Sequence, residues 1–264
     1  MADVKVFGSA WSPRHGNTEI LVKEALEACE ALPGVSTEFW SFAGKSIAPC
    51  KSCYACFRNP DPTKPCRGNP VDAFDEALPG FADADGLIVG FPVYYMGVPA
   101  QLKAFFDRSM AIESLGAIWR NKVIGFVAVG AARHGGHESA IRDAQNWALL
   151  HDLILVGVGP ERDARGRGGY LGGMALQGFP QAVSSVTTAG FSAVQQDEMG
   201  LRETRSLASR VTEIAKVIKA GYQQVDETEL RWGKGPVETT MIASWKQGDT
   251  TATGQGGTPN DDDA

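Results

Sequence analysis

The sequence predicts an α/β fold: a doubly wound parallel sheet with helices on both faces. Three observations predict it. Short apolar runs of strand length alternate with segments of helical spacing five times along the chain. One run, GLIVGF at 86–91, is apolar without alternation, as a central parallel strand buried on both faces requires. Loops rich in Gly and Ser follow the runs, where such sheets bind their ligands.

The elements follow in order. Residues 5–8, with Val4 before them, end at glycine and read as a buried first strand. A helix over 17–32 places Ile20, Leu21, Ala25, Leu26 and Ala28 at helical spacing, with Asn17 or Thr18 as its N-cap and Pro33-Gly34 ending it. STEFWSF at 36–42 alternates and is rich in strand formers. A cysteine-bearing segment then runs to about residue 70, where Pro49, Pro60, Pro62, Pro65 and Pro70 forbid a long regular element. A helix over 71–82 leads to the strand at 86–91. Pro99 in the first turn opens a helix over 99–110. A strand over 122–129, a helix over 138–150 and a strand over 153–158 follow. A long helix over 201–222 closes the unit with Leu207, Val211, Ile214, Val217 and Ile218 on one side. Five strands in about 220 residues fit a flavodoxin-like five-stranded parallel sheet. The expected organisation is one domain over 1–225, with an insert at about 48–70 and a long loop at about 159–200. An extension over 226–264 is expected to be disordered after about residue 247, where Gly, Thr and Asp dominate.

Composition excludes several classes. The chain has 264 residues, 43% hydrophobic and 21% charged, ordinary for a globular protein. The net charge is −6, and the four aspartates among residues 248–264 leave the body near −2. Neither value suits a nucleic-acid partner, which calls for a basic stripe. No stretch of about 18 apolar residues exists to span a membrane, because Pro92 and Pro99 break the longest candidate. MADVKVFGSA carries no apolar signal region, so the expected location is cytoplasmic. Of five cysteines, Cys29 reads as a buried helix residue, while Cys50, Cys53, Cys56 and Cys66 fall within seventeen residues. Without an export signal, such clustering reads as a metal or redox site before disulfides.

The loop at 8–18 combines two glycines, two serines, Arg14, and Asn17-Thr18 at a helix start. Backbone N–H groups, hydroxyls and one guanidinium together make an anion cradle. It lacks both the Gly-Lys-Ser/Thr ending of a Walker loop and the Gly-x-Gly-x-x-Gly pattern. A plain capped helix is the simpler alternative. Tyr94-Tyr95-Met96 after the third strand would, taken alone, read as core packing. In Cys50-x2-Cys53-x2-Cys56-x9-Cys66, three thiols at this spacing can wrap three corners of one cluster while a fourth arrives from farther away. Four thiolates suit zinc equally well, and free thiols are the bland alternative.

Three of these segments carry a resemblance. Ser12-Pro13-Arg14 with Gly16-Asn17-Thr18 resembles the phosphate loop of the NADPH-dependent FMN reductase family. The stretch at 91–108, beginning Phe91-Pro92-Val93-Tyr94-Tyr95-Met96-Gly97, resembles that family's signature after strand three. Gly130-Ala131-Ala132-Arg133-His134-Gly135-Gly136 resembles its glycine loop after strand four. The likeness runs over about residues 5–159 and weakens beyond. It implies that Ser12, Arg14, Asn17 and Thr18 hold the FMN phosphate. It implies that Pro92, Val93, Tyr94, Tyr95 and Met96 lie along the isoalloxazine, with backbone amides reaching ring atoms. Gly130, Ala131, Gly135 and Gly136 would close the pyrimidine side, where glycines permit close approach to a flat ring. The cysteine motif resembles that of iron–sulfur flavoproteins, a branch of the same family, which implies a [4Fe–4S] cluster at Cys50, Cys53, Cys56 and Cys66. The last gap here is longer than usual for that branch, and its proline-rich filler is unusual.

The resemblance implies an FMN-dependent oxidoreductase that passes electrons from NAD(P)H, as co-substrate, through FMN to a quinone, nitro, azo or similar small acceptor. No protein nucleophile or base is expected. His134 and His137 are minor candidates for proton donors. Arg162, Arg165 and Arg167 are candidates for gripping the 2′-phosphate of NADPH, against a solvated loop. The 159–200 loop would cover the flavin or build the interface of a homodimer or homotetramer. Two alternatives stand beside this reading: a single-electron carrier with a [4Fe–4S] cluster and ferredoxin-like partners, and a zinc-binding or flavin-sensing module without turnover.

Overall fold

Two strands tolerate no water on either face, and they set the middle of the sheet. Strands β3 (Gly86–Pro92) and β4 (Val123–Gly130) are buried at every position. β1 (Val4–Ala10) pairs with β3, and β2 (Val35–Ser41) forms the half-exposed edge beyond it. β5 (Ile154–Leu155) pairs with the start of β4, and β6 (Gly173–Leu176) with its end. All pairs are parallel, in the order β2-β1-β3-β4-β5, as in the flavodoxin-like arrangement the sequence predicts. The computed structural model describes residues 3–132, 134–159, 169–177 and 192–230.

The helices are α1 (Asn17–Glu30), α2 (Ala55–Arg58), α3 (Ala73–Asp83), α4 (Ala100–Arg108), α5 (Met110–Glu113), α6 (His137–Leu150) and α7 (Glu198–Gln224). None of the described helices is long and apolar enough to cross a membrane. The prolines of the insert confine it to the four-residue α2.

Two expectations need correction. The helix at 17 begins on Gly16 (φ 134°), not on a side-chain cap from Asn17 or Thr18, because both are already helical and buried. The fifth strand ends at Leu155 instead of Val158. A Cβ on Gly157 would lie 2.1 Å from the Tyr170 carbonyl oxygen, so the returning chain crowds the segment off the sheet. β6 then takes the rest of that edge, making a six-stranded sheet.

The two faces of the sheet bury different chemistry. Alternation along each strand sends Phe7, Leu87, Val89, Phe91, Ile124 and Phe126 to one side. There they meet a slab of rings from α3, α4 and α6: Phe81 on Trp119 at 5.3 Å, and Phe106 stacked on Trp147 at 4.2 Å. Val4, Val6, Ile88, Val123 and Val127 face α1 and α7 on the other side. That second face is notched by glycine. A Cβ on Gly90 would lie 2.3 Å from Val22 Cγ2 of α1, and one on Gly125 would lie 2.9 Å from Val211 Cγ2 of α7. The missing side chains let both helices sit close to the sheet. Cys29 is sealed in this layer, and burial pushes its thiol up to about 11.

Gly90→Ala should therefore destabilise the fold by about 1–3 kcal/mol through overpacking against Val22. Urea unfolding checks it, and an unchanged midpoint would show that the layer has room to spare.

Candidate functional site

The first ligand loop leaves β1 at its carboxyl end. Trp11 keeps the chain in register for one further residue by donating its N–H to the Gly90 carbonyl at 2.8 Å. Ser12 then closes a tight turn: its Oγ donates to the Arg14 carbonyl at 2.7 Å and accepts from the Arg14 N–H at 3.3 Å. Ser12, Asn17 and Thr18 are buried and Arg14 is exposed. The first N–H groups of α1, which no helix can bond internally, lie in the same loop. Asn17 has a further task that sequence alone does not show. Its Oδ1 accepts from the Val194 N–H at 3.0 Å, fastening the 3₁₀ turn Ala193–Gln196 to the loop.

The second loop follows β3. Pro92 is the last strand residue, and Val93 donates to the Val129 carbonyl at 2.8 Å. Tyr94 and Gly97 exchange both backbone bonds, at 3.1 and 3.0 Å, so residues 94–97 form a two-residue hairpin. Its central residues, Tyr95 and Met96, hold φ of 46° and 69°. Left-handed backbone costs a non-glycine residue on the order of 1 kcal/mol or more. Tyr94, Tyr95 and Met96 are 41%, 106% and 56% exposed, which rules out the core-packing alternative. The bonded amides of Val93 and Tyr94 are not on offer to a ring, so the expectation that this loop's amides reach one narrows to Tyr95 and Met96.

The third loop meets the second. Gly136 caps α6 at φ 97°, and a Cβ there would lie 2.5 Å from Met96 Cα. Only glycine permits that contact. Gly135 donates to the Ala132 carbonyl at 3.0 Å, and Ala131 is exposed. Gly130 lies deeper: it ends β4, and its carbonyl accepts from the Gln177 N–H at 2.9 Å. His137, a candidate proton donor by sequence, is instead a structural residue. It is 6% exposed, packs on Gly130, and its Nε2–H donates to the Ala175 carbonyl at 3.1 Å. Burial pushes its imidazole below the ordinary range, with the Ala175 carbonyl and the charges of Asp197 and Glu138 opposing. His134 is exposed. Arg162, Arg165 and Arg167 lie outside the described residues, as do most of the 159–200 loop and the extension from residue 231.

The insert after β2 builds a second site. Cys50, Cys53, Cys56 and Cys66 line one recess with Arg108 and Asn69, and all four thiols are free. Ser52 and Tyr54, at φ 52° and 54°, curl the backbone around Cys53. A Cβ on Gly68 would lie 2.4 Å from Cys53 Sγ, so glycine holds the opposite wall back. Burial pushes the Cys56 thiol up, and nearby Cys66 and Cys53 push the same way. Among the described residues no three ligating side chains converge tightly enough for one ion. The four thiols line one recess, and thiolates are donors that a cluster or a zinc ion could use. The donor set and the glycine wall fit such a group.

Sequence reasoning missed the residues that brace this recess. Arg108 ends α4 with its side chain fully buried, its Nε–H 3.2 Å from Cys66 Sγ and its Nη1 2.6 Å from Asp72 Oδ2. Asp72 also caps α3 and accepts from the Ala48 N–H at 2.9 Å. The signal was an arginine three residues after Phe105 on the apolar side of its helix. Ser109 Oγ lies 2.7 Å from His151 Nε2, and His151 Nδ1 lies 2.6 Å from Glu113 Oε1 without hydrogen-bond geometry, in the order of a nucleophile relay. Ser109 and His151 are each 1% exposed, and Ser109 also accepts from Trp147 Nε1 at 2.8 Å, so the chain is a core network.

Residues 4–158 match the family described as NADPH-dependent FMN reductase. An iron-sulfur flavoprotein of Methanocaldococcus jannaschii is 39% identical over 217 residues, covering 82% of this chain and 100% of that protein. An iron-sulfur flavoprotein of Methanosarcina thermophila is 38% identical over 155 residues, covering 58% of this chain and 78% of its own. Among solved structures, a flavodoxin, WrbA-like protein of Agrobacterium tumefaciens superposes with a TM-score of 0.53 at 18% identity, covering 81% of this chain and 99% of that one. That last likeness shows the fold.

Two outcomes are expected. Arg14→Ala should weaken FMN retention by roughly ten- to a hundredfold, the worth of a hydrogen bond to a charged group at about 1.5–3 kcal/mol. Flavin fluorescence on dilution measures it, and unchanged retention would remove Arg14 from the phosphate cradle. His137 takes up its proton more readily when unfolded, so it draws stability away as pH falls below about 6.5. His137→Gln should flatten that loss; equal slopes in wild type and variant on urea unfolding across pH would show that His137 carries none of it.

Proposed function

This chain belongs to the NADPH-dependent FMN reductase family, and on that premise we propose that it is an oxidoreductase passing electrons from NAD(P)H through FMN to a quinone, nitro, azo or similar small acceptor. The observation that carries the reading is the gathering of three loops beyond the carboxyl ends of β1, β3 and β4, with Met96 of the second against Gly136 of the third. FMN, when bound, supplies two-electron exchange with a nicotinamide and electron delivery to an acceptor.

The chain's own residues orient it. The turn at Ser12, the exposed guanidinium of Arg14 and the start of α1 with Thr18 hold the phosphate. Asn17 keeps the cradle in shape through Val194. Tyr95 and Met96, lifted by the left-handed hairpin, present amides and apolar side chains to the ring. Gly135 and Gly136 would flank it, Gly136 admitting Met96 into close contact. His137 is buried, and exposed His134 is the candidate of the two histidines for giving a proton to a two-electron acceptor.

The cysteine recess favours a second reading, in which the protein carries a [4Fe–4S] cluster on Cys50, Cys53, Cys56 and Cys66 and trades single electrons with ferredoxin-like partners. The relatives bearing the name iron-sulfur flavoprotein support it. Such a cluster, when bound, would supply one-electron storage.

Iron, acid-labile sulfide and FMN per chain, measured on protein purified without oxygen and followed by anaerobic NADH and NADPH oxidation, decide between the two. FMN without iron, with rapid reduction by a nicotinamide, is the outcome the first reading expects. About four iron and four sulfide per chain, with no direct nicotinamide reaction, makes the second reading the function. Absence of flavin would overturn both.

A further inference from the structure

We propose that Arg108 is the fixed cation that tunes the reduction potential of the group held by the four cysteines, with Asp72 as the counter-charge that moderates it. The proposal rests on the cluster-bearing form of the reading above.

Three observations place Arg108 in that role. Its side chain is wholly inaccessible to water, so its charge acts at short range and without screening by salt. Its Nε–H is 3.2 Å from Cys66 Sγ, a charge-assisted donor aimed at a ligand atom. Its Nη2 makes no hydrogen bond, and its ion partner there is Asp75 at 3.6 Å. Nη1 is engaged by Asp72 and the Ala48 carbonyl, Nε points at sulfur, and Nη2 faces Asp75, with the guanidinium lying over the Phe74 ring at 4.4 Å.

Adding one electron adds one negative charge to a group already surrounded by thiolates. A cation and an N–H···S bond stabilise the more negative state, so Arg108 raises the potential. Asp72 pulls the other way, because its carboxylate lies against the guanidinium and cancels part of its field. Asp72 and Arg108 variants therefore move the potential in opposite directions, which a merely structural pair would not do. Arg58, whose Nη2 donates to the Cys53 carbonyl at 2.8 Å, is exposed, and its charge is screened by water.

The test is a reductive titration of the anaerobically purified holoprotein, following the cluster's visible absorbance and paramagnetic signal, with iron and sulfide measured in every sample. The variants are Arg108→Gln, Arg108→Lys and Asp72→Asn. Asparagine keeps the N-cap of α3 while removing the charge. Expected are a midpoint shifted to more negative values in Arg108→Gln, a smaller negative shift in Arg108→Lys, and a positive shift in Asp72→Asn. Unmoved midpoints, or shifts of one sign in all three with clusters retained, would overturn the role. Should neither Arg108 variant fold, the sign of the Asp72→Asn shift decides alone. If Arg108→Gln loses its cluster while Arg108→Lys keeps it, the charge requirement stands; loss in both with a negative or absent Asp72→Asn shift overturns it. Wild-type protein without iron or sulfide would overturn the cluster reading itself, and this proposal with it.

Discussion

Asp72 and Arg108 form the buried pair on which the cysteine-bearing side of the molecule hangs. The carboxylate caps α3, takes the Ala48 N–H from the start of the insert and receives the guanidinium from the end of α4. Three segments distant in sequence thus meet at one side chain. Burying both charges costs several kcal/mol per ion before their attraction repays it. Removing one partner leaves the other uncompensated, so the pair works as a latch more than as a source of net stability. Its position is telling, because Arg108 reaches past the latch to Cys66. Helix α4 is tied at its other end too, where Gln101 Nε2 donates to the Trp11 carbonyl at 2.7 Å. One short helix therefore joins the loop after β1 to the cysteine recess.

The sheet separates packing from chemistry. Both faces of β3 and β4 are buried, so polar groups can collect only where strands end. The glycine-notched face draws α1 and α7 close, which places the start of α1 directly beyond β1. The aromatic face supports the insert: Cys56 and Cys66 belong to the same apolar cluster as Phe74, Phe105 and Trp147. Rigid surroundings also allow strain. Tyr95 and Met96 hold left-handed backbone without being glycine, a conformation that survives only when neighbours impose it. Met96 against Gly136 is one such constraint.

Much of this was legible in the sequence. Apolar runs and their breakers located the central strands within a residue or two, because strands buried on both faces admit no polar substitution. The places where the chain leaves β1, β3 and β4 followed, since glycine and proline end those runs. The first helix was misjudged at its cap, where Gly16 at φ 134° does what a side chain was expected to do. His137 read as a solvated loop residue or a minor proton-donor candidate; its burial depends on Ala175, a residue of a strand that local pattern did not reveal.

The sequence by itself determined which segments are apolar on one side or both, where the chain must turn, and which side-chain types sit at the strand ends. These are local properties, set by periodicity, proline and glycine. Only the tertiary structure decided that the fifth strand gives way to β6, that Asn17 holds Val194, and that Arg108 lies in the dark between Asp72 and Cys66. Each of these joins residues tens to hundreds of positions apart, and pairing over such distances depends on which elements the packed sheet brings together, which no window of sequence contains.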